Sequence, residues 1–249
     1  MQGYYRQAAV FGDTIAFICE DDLWLVPKQG GRAIRLTASP GIVASPRFSE
    51  DGKWIAYTCN EEGSFEIYVI PSTGGEAKRL TWLNATASPM GWHNGRIVFH
   101  STYRQPIQRS GALFEVNPEG HAPQQLPYGN AVHVSFGGKG TVVGINTSEP
   151  ARWKRYRGGT AGQLLIDKNG TGEFKPLLKL KSNLTCPLWI GKRIYFISDH
   201  EGIGNIYSCQ PDGKDIRKHS HHKDYYARRA DTDGKSIVWH SGANLYYLD

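Results

Sequence analysis

One phrase, repeated with drift along the chain, limits the folds open to this sequence. It is clearest in Ala44-Ser45-Pro46-Arg47-Phe48-Ser49-Glu50-Asp51-Gly52-Lys53-Trp54-Ile55-Ala56-Tyr57, continues through Glu66-Ile67-Tyr68-Val69, and ends in Gly74-Gly75-Glu76-Ala77-Lys78-Arg79-Leu80-Thr81. Gly30-Gly31-Arg32-Ala33-Ile34-Arg35-Leu36-Thr37 closes an earlier copy. Gly191-Lys192-Arg193-Ile194-Tyr195-Phe196 and Asp233-Gly234-Lys235-Ser236-Ile237-Val238 belong to later ones. Each copy reads as a short strand, a turn of Asp-Gly, Asn-Gly or Gly-Lys type whose residues tolerate positive φ, an apolar strand, a third strand with an Ile-Tyr or Leu-Tyr pair, and a polar fourth strand. Four antiparallel strands at a spacing of about 40 residues make a propeller blade.

The expected fold is therefore all-β: a six-bladed β-propeller of four-stranded antiparallel blades, at about 4–37, 42–81, 85–127, 131–178, 184–220 and 225–249. The last blade stops after its third strand, and the residues ahead of the first inner strand are too few to supply a fourth. The last blade is thus expected to be incomplete, the ring open, and the chain part of a longer polypeptide. A β-sandwich would not repeat one turn signature at this period, and a solenoid would need shorter repeats. Four, five or seven blades would require a miscount of the drifting third and fourth copies.

Composition agrees with a globular β protein. Of 249 residues, 39% are hydrophobic, 12% are aromatic and 29 are glycines. Cys19, Cys59, Cys186 and Cys209 lie far apart, in or beside predicted strands, and read as buried thiols. No signal peptide or membrane span is visible, so a cytoplasmic setting is expected; the start Met1-Gln2-Gly3-Tyr4 leaves room for a removed signal. The net charge of +6 is modest. Acidic turns such as Glu20-Asp21-Asp22 and Asp199-His200-Glu201 interrupt the positive field, so neither nucleic acid nor membrane is an expected partner.

The departures from the repeat mark the candidate site. Loops between second and third strands share one face of a propeller, and two of them are enlarged. Blade three carries Thr102–Gly111, with Tyr103, Arg104 and Arg109. Blade four carries Asn146–Ala161, with Arg152, Trp153, Lys154, Arg155, Tyr156 and Arg157. Four cations within six residues, interleaved with two aromatics, suit carboxylates and stacking groups. The two loops are expected to be neighbours, forming a peptide- or anion-binding surface or a surface for docking another domain.

Other constellations are weaker. His219, His221 and His222 are the only candidate metal ligands, and a surface loop explains them as well. Ser198-Asp199-His200 has triad residue types without triad geometry, and no Gly-x-Ser-x-Gly elbow is present. Gly158-Gly159-Thr160-Ala161-Gly162 leads into a strand, so it is not a phosphate cradle. No catalytic residue and no cofactor is expected.

The phrase Ser-Pro…Asp-Gly-Lys…Ile-Ala…Ile-Tyr…Gly-Gly…Arg-Leu-Thr resembles the TolB and tricorn class of WD40-like propeller repeats. Asp21-Asp22-Leu23-Trp24, Trp153-Lys154-Arg155-Tyr156-Arg157-Gly158-Gly159-Thr160, Arg193-Ile194-Tyr195-Phe196-Ile197-Ser198-Asp199, Asp212-Gly213-Lys214-Asp215-Ile216-Arg217-Lys218-His219 and Asp224-Tyr225-Tyr226 are similar, in order, to the amino-terminal six-bladed propeller of tricorn-type serine peptidases. That resemblance implies a non-catalytic module of a large, homohexameric oligopeptide-degrading enzyme. The module would act as a channel or gate and dock the other domains, while the nucleophile lies in later domains. The family pattern has adjacent arginines in the loop after the second blade. Here that loop is Trp82-Leu83-Asn84-Ala85-Thr86, so carboxylate anchoring is expected to have moved to Arg104, Arg109 and Arg152–Arg157. The rival readings are a stand-alone TolB-like interaction scaffold and the propeller cap of a prolyl-oligopeptidase-type hydrolase.

Overall fold

The computed structural model describes residues 3–107 and 110–249. Its sheets are six antiparallel blades. Blade one contains β1 (Arg6–Phe11), β2 (Thr14–Cys19), β3 (Asp22–Pro27) and β4 (Ile34–Arg35). Blade two contains β5 (Val43–Phe48), β6 (Trp54–Cys59), β7 (Glu66–Pro71) and β8 (Lys78–Arg79). Blade three contains β9 (Ala87–His93), β10 (Arg96–Ser101), β11 (Ala112–Val116) and β12 (Gln124–Gln125). Blade four contains β13 (Ala131–Gly137), β14 (Gly140–Ile145), β15 (Gln163–Asp167) and β16 (Lys175–Pro176). Blade five contains β17 (Leu184–Ile190), β18 (Arg193–Ser198), β19 (Asn205–Cys209) and β20 (Arg217–Lys218). Blade six has three strands among the described residues: β21 (Arg228–Thr232), β22 (Ile237–Ser241) and β23 (Asn244–Leu248).

The second and third strands carry most of the burial, because neighbouring blades cover both of their faces; β6, β19 and β22 read as nearly unbroken buried runs. On the second and third strands, directly opposed rings stack in four blades: Tyr57–Tyr68 at 5.6 Å, Phe99–Phe114 at 5.7 Å, Phe196–Tyr207 at 6.3 Å and Trp239–Tyr246 at 6.0 Å. These cross-strand pairs fix register from inside the sheet. All four cysteines are buried and free.

The recurring hydroxyl at the end of the repeat has a specific task. The Thr37 hydroxyl accepts from Leu23 N at 2.9 Å and donates to buried Asp22 at 2.7 Å. Thr81 repeats this with Ile67 N and Glu66, at 2.9 and 2.6 Å, and Ser220 repeats it with Ile206 N and Asn205, at 2.8 Å in both cases. An outer strand only two residues long is thus held by its flanking residue as much as by its ladder.

The first strands meet in ring order, and β1 closes the circle against β21 and β22. Closure is by packing and by hydrogen bonds such as Tyr5 N to Ala243 O at 3.2 Å and Gly12 N to Asp233 at 3.0 Å, and none of the described residues pairs as a strand with the outer edge of β23. The expected incomplete blade is therefore present. Each inner strand has a register irregularity, and Gln7, Ser45, Cys186 and Arg229 occupy the left-handed region there, with φ of 50–54°. These bulges turn side chains toward the channel.

Arg47 is buried and lies across that channel. Its Nε is 3.2 Å from Met90 O of blade three and 3.4 Å from Asp231 of blade six, on the far side of blade one. The Asp231 carboxyl is raised by burial, with Arg47 opposing the shift. Two neutral histidines sit at the same depth. Burial pushes His133 down to about 3, helped by Arg229, Arg47 and His100. Burial also pushes His240 down to about 3, helped by Arg228, Arg229 and Arg6.

Both histidines have folded-state values below the unfolded one, so their contribution is complete above pH ~6.5 and is lost as pH falls toward 3. Denaturant unfolding between pH 7 and 5 should show stability falling toward a limiting slope of about 1.4 kcal/mol per pH unit for each histidine. The double variant His133→Gln, His240→Gln should flatten this fall, and an unchanged slope would contradict the assignment.

Candidate functional site

Blade four's long loop leaves β14 at Ile145 and returns at Gln163. Two buried carboxylates tie it down. Glu149 caps a short 3-10 turn at Pro150–Arg152 through Ala151 N, and is itself only 3% exposed. Its carboxylate accepts from Arg228 Nε at 2.8 Å and lies 3.9 Å from Arg229 Nε. Those arginines begin the inner strand of blade six, so the loop passes over the channel-facing end of blade five to reach them. On the way, Thr147 O accepts from the Thr185 hydroxyl at 3.2 Å. Burial lowers the Arg229 guanidinium from its usual range, and Glu149 is the largest counterweight.

A second anchor holds the far half of the loop. Asp199 is fully buried at the end of β18. Its carboxylate accepts from Arg155 N at 3.0 Å, Arg157 Nη1 at 2.9 Å, Asn183 N at 3.0 Å and the Tyr226 hydroxyl at 3.2 Å. Arg157 also donates to Asp199 O at 2.9 Å. Asn183 Nδ2 adds a bond to Trp153 O at 3.3 Å. A backbone amide, a guanidinium and two neighbouring segments thus converge on one carboxylate.

This geometry sorts the basic residues expected to form the binding surface. Arg157 is neutralised internally by Asp199. Lys154 lies 5.9 Å above the Tyr226 ring. Arg152 and Arg155 are exposed, with Arg155 at a φ of 57°. Trp153 and Tyr156 stack on each other at 4.0 Å, leaving Trp153 64% exposed. The outer surface of the loop is an aromatic pair flanked by exposed cations.

The blade-three and blade-four loops, expected as neighbours, are anchored on different blades among the described residues. Tyr103 packs into the core between blades two and three and lies 6.0 Å from Phe114, with Arg104 stacked on it at 5.0 Å. The blade-four loop leans the opposite way, drawn by Asp199 and Arg228. Arg109 lies outside the described residues. The three histidines do not converge either. His219 bonds the Ser208 hydroxyl at 2.7 Å, His222 accepts from Trp239 Nε1 at 2.8 Å, and His221 is exposed. Ser198 does meet His200 Nδ1 at 2.8 Å, but its hydroxyl is fully buried and out of reach of any substrate. Sequence reasoning passed over Glu149 and the pair Arg228-Arg229; two adjacent arginines opening an inner strand were the available signal.

On the opposite face, where the Asp-Gly turns lie, the channel opens into a funnel of about 320 Å³. Phe48, Trp92, Phe136 and Trp189 line it, and Arg47 and Asp231 form its floor. The channel is therefore crossed by ion pairs at two levels.

Six antiparallel blades in a ring, with a blade-four loop tied to blade six, define a β-propeller. The chain belongs to the family described as the Tricorn protease N-terminal beta propeller domain, which matches residues 2–249. It is similar to Tricorn protease homolog 1 of Streptomyces coelicolor, at 42% identity over 250 residues, covering 99% of this chain and 23% of that protein. It also superposes on the crystal structure of the tricorn protease with a TM-score of 0.92 at 33% identity, covering 100% of this chain and 25% of that one. The chain thus spans about a quarter of the length of these relatives. A TolB structure from Agrobacterium tumefaciens shares the fold, with a TM-score of 0.65 at 14% identity over 88% of this chain and 80% of that one.

Replacing Asp199 with Ala removes the carboxylate that holds the loop and strands its donors. Stability should fall by about 3 kcal/mol in denaturant titrations, and trypsin should cut faster within Arg152–Arg157. Wild-type stability with unchanged cleavage would contradict the role given to Asp199.

Proposed function

We propose that this propeller is a non-catalytic, gated passage for oligopeptides in a tricorn-type serine peptidase, and that loop 146–161 is the gate. In this reading the catalytic residues lie in other domains of the peptidase. Those domains are this module's partners, within a cytoplasmic, homohexameric assembly. The observation that carries the proposal is the Glu149–Arg228 bond, which ties a blade-four loop to blade six across the channel-facing end of blade five. An elaborate structural loop would not need to cross the passage. The exposed Arg152 and Arg155, beside the Trp153–Tyr156 stack, suit the carboxylate and apolar side chains of a peptide end. Arg157 does not share that task, because Asp199 already occupies it.

Glu149→Gln keeps the shape of the side chain while removing the charge that holds Arg228 and Arg229. In a peptidase carrying this propeller, kcat/KM for long oligopeptides should rise several-fold, while short fluorogenic peptides that bypass the gate are hydrolysed unchanged. Equal rates for both substrate lengths, relative to the parent enzyme, would rule out the gate. Arg155→Glu tests the surface separately: it should raise KM for peptides with a free carboxyl terminus and leave amidated ones unaffected.

A further inference from the structure

The funnel on the face of the Asp-Gly turns is walled by aromatic rings that neighbouring blades hold in place. Phe11, Phe48, Trp92, Phe136 and Trp189 occupy the last two positions of the first strands of blades one to five, and all are half-buried. Trp92 Nε1 donates to Arg47 O of blade two at 3.1 Å. Phe136 stacks on His93 of blade three at 3.7 Å. Trp189 lies flat on the blade-four hairpin, where a Cβ on Gly137 would come within 2.2 Å of its indole. Phe11 covers Gly52 of blade two in the same way, with 2.1 Å to a Cβ there, and lies 6.0 Å from Phe48. The rings are therefore set before any ligand arrives, and little side-chain freedom is left to lose on binding.

The charges around the funnel favour one sign of ligand. Arg47 and Asp231 lie 3.4 Å apart at its floor and offset each other. Glu50 and Asp233 stand in the hairpin turns at its mouth. Glu50 accepts from Asn94 N at 3.1 Å and Gly95 N at 2.9 Å, and Asp233 from Gly12 N at 3.0 Å, so both carboxylates are held in position by the neighbouring blade. The funnel therefore presents net negative charge on a chain whose own net charge is +6. Rings that served only to plug the ring would bury one another. These enclose about 320 Å³ of open space, enough for one side chain or peptide end. Aromatic faces and carboxylates both attract cations, and neither rewards an anion.

We propose that the funnel is a binding site for an organic cation carried by a peptide: an ammonium on a side chain or at an amino terminus, held by the rings of Trp92, Phe136 and Trp189 with Glu50 and Asp233 as counter-ions. The alkyl stem packs on the rings while the charged head faces the carboxylates. A neutral side chain of the same length keeps only the packing, and a carboxylate meets like charge. The site lies on the face opposite loop 146–161 and does not depend on that loop's being a gate.

The test is a titration followed by nuclear magnetic resonance on the 249-residue chain with isotope-labelled indoles, so that the Trp92 and Trp189 N–H signals report the funnel. Acetyl-glycyl-lysyl-glycine amide carries only a side-chain ammonium, and glycyl-norleucyl-glycine amide only a terminal one. Saturable shifts of both signals are expected with at least one of these peptides, and the one that responds identifies the source of the cation. Acetyl-glycyl-norleucyl-glycine amide, which is uncharged, should bind about tenfold more weakly, and the glutamate analogue should not bind. Trp189→Leu should weaken the ammonium peptide about fivefold, read at Trp92. The double variant Glu50→Gln, Asp233→Asn, which keeps every ring and the shape of both side chains, should also weaken it about fivefold, with a smaller salt dependence. Equal binding of the uncharged peptide, tighter binding of the glutamate peptide, no saturable shift from either ammonium peptide, or undiminished binding by the double variant would each overturn the proposal.

Discussion

Every blade has two apolar faces and can bury neither alone, and the rest of the structure depends on that. The second strands are apolar on both sides because a neighbour stands on each. The stacked ring pairs on second and third strands add directional contact to this packing, and they recur where the sequence supplies Ile-Tyr or Leu-Phe on the third strand. Packing of faces, with hydrogen bonds such as Val10 N to Asp231 and Gly12 N to Asp233, also joins blade one to blade six, where no strand pairing among the described residues latches the ring.

Where the inner strands converge at the centre of the ring, polar side chains take up what the apolar faces cannot. Bulges in the inner strands turn Gln7, Ser45, Cys186 and Arg229 inward at some cost in backbone strain. Arg47 then pairs with Asp231, while Glu149 meets Arg228 and Arg229 on the same inner strand of blade six. Buried ion pairs of this kind add little net stability when formed but hold position strongly, since removing one partner strands the other. The loop that supplies Glu149 is therefore placed by electrostatics rather than by a hydrophobic seat, as its exposed Trp153 indicates.

Much of this fold was legible in the sequence because its signals are local. Asp51-Gly52 and Asp233-Gly234 announce hairpins, and Arg-Leu-Thr announces an outer strand whose threonine proves to be a cap. The three-stranded last blade followed from the same pattern. The candidate site was less legible because its partners are remote. Arg157 reads as a free cation until Asp199, 42 residues away, is brought beneath it. Glu149 reads as an unremarkable loop acid until the ring brings it to Arg228, 79 residues on. Tyr103 reads as an exposed aromatic, yet it belongs to the core beside Phe114. Spacing along one chain cannot express contacts created by closing a ring.

The central claim is that loop 146–161 is tied down across the channel rather than left free. Amide hydrogen exchange tests it most directly, because Arg155 N donates to buried Asp199 and Ala151 N to buried Glu149. The account predicts that both amides are strongly protected, and that Ala151 alone loses protection when Glu149 is replaced by Ala. Exchange at the rate of an unstructured peptide in the unaltered chain would contradict it.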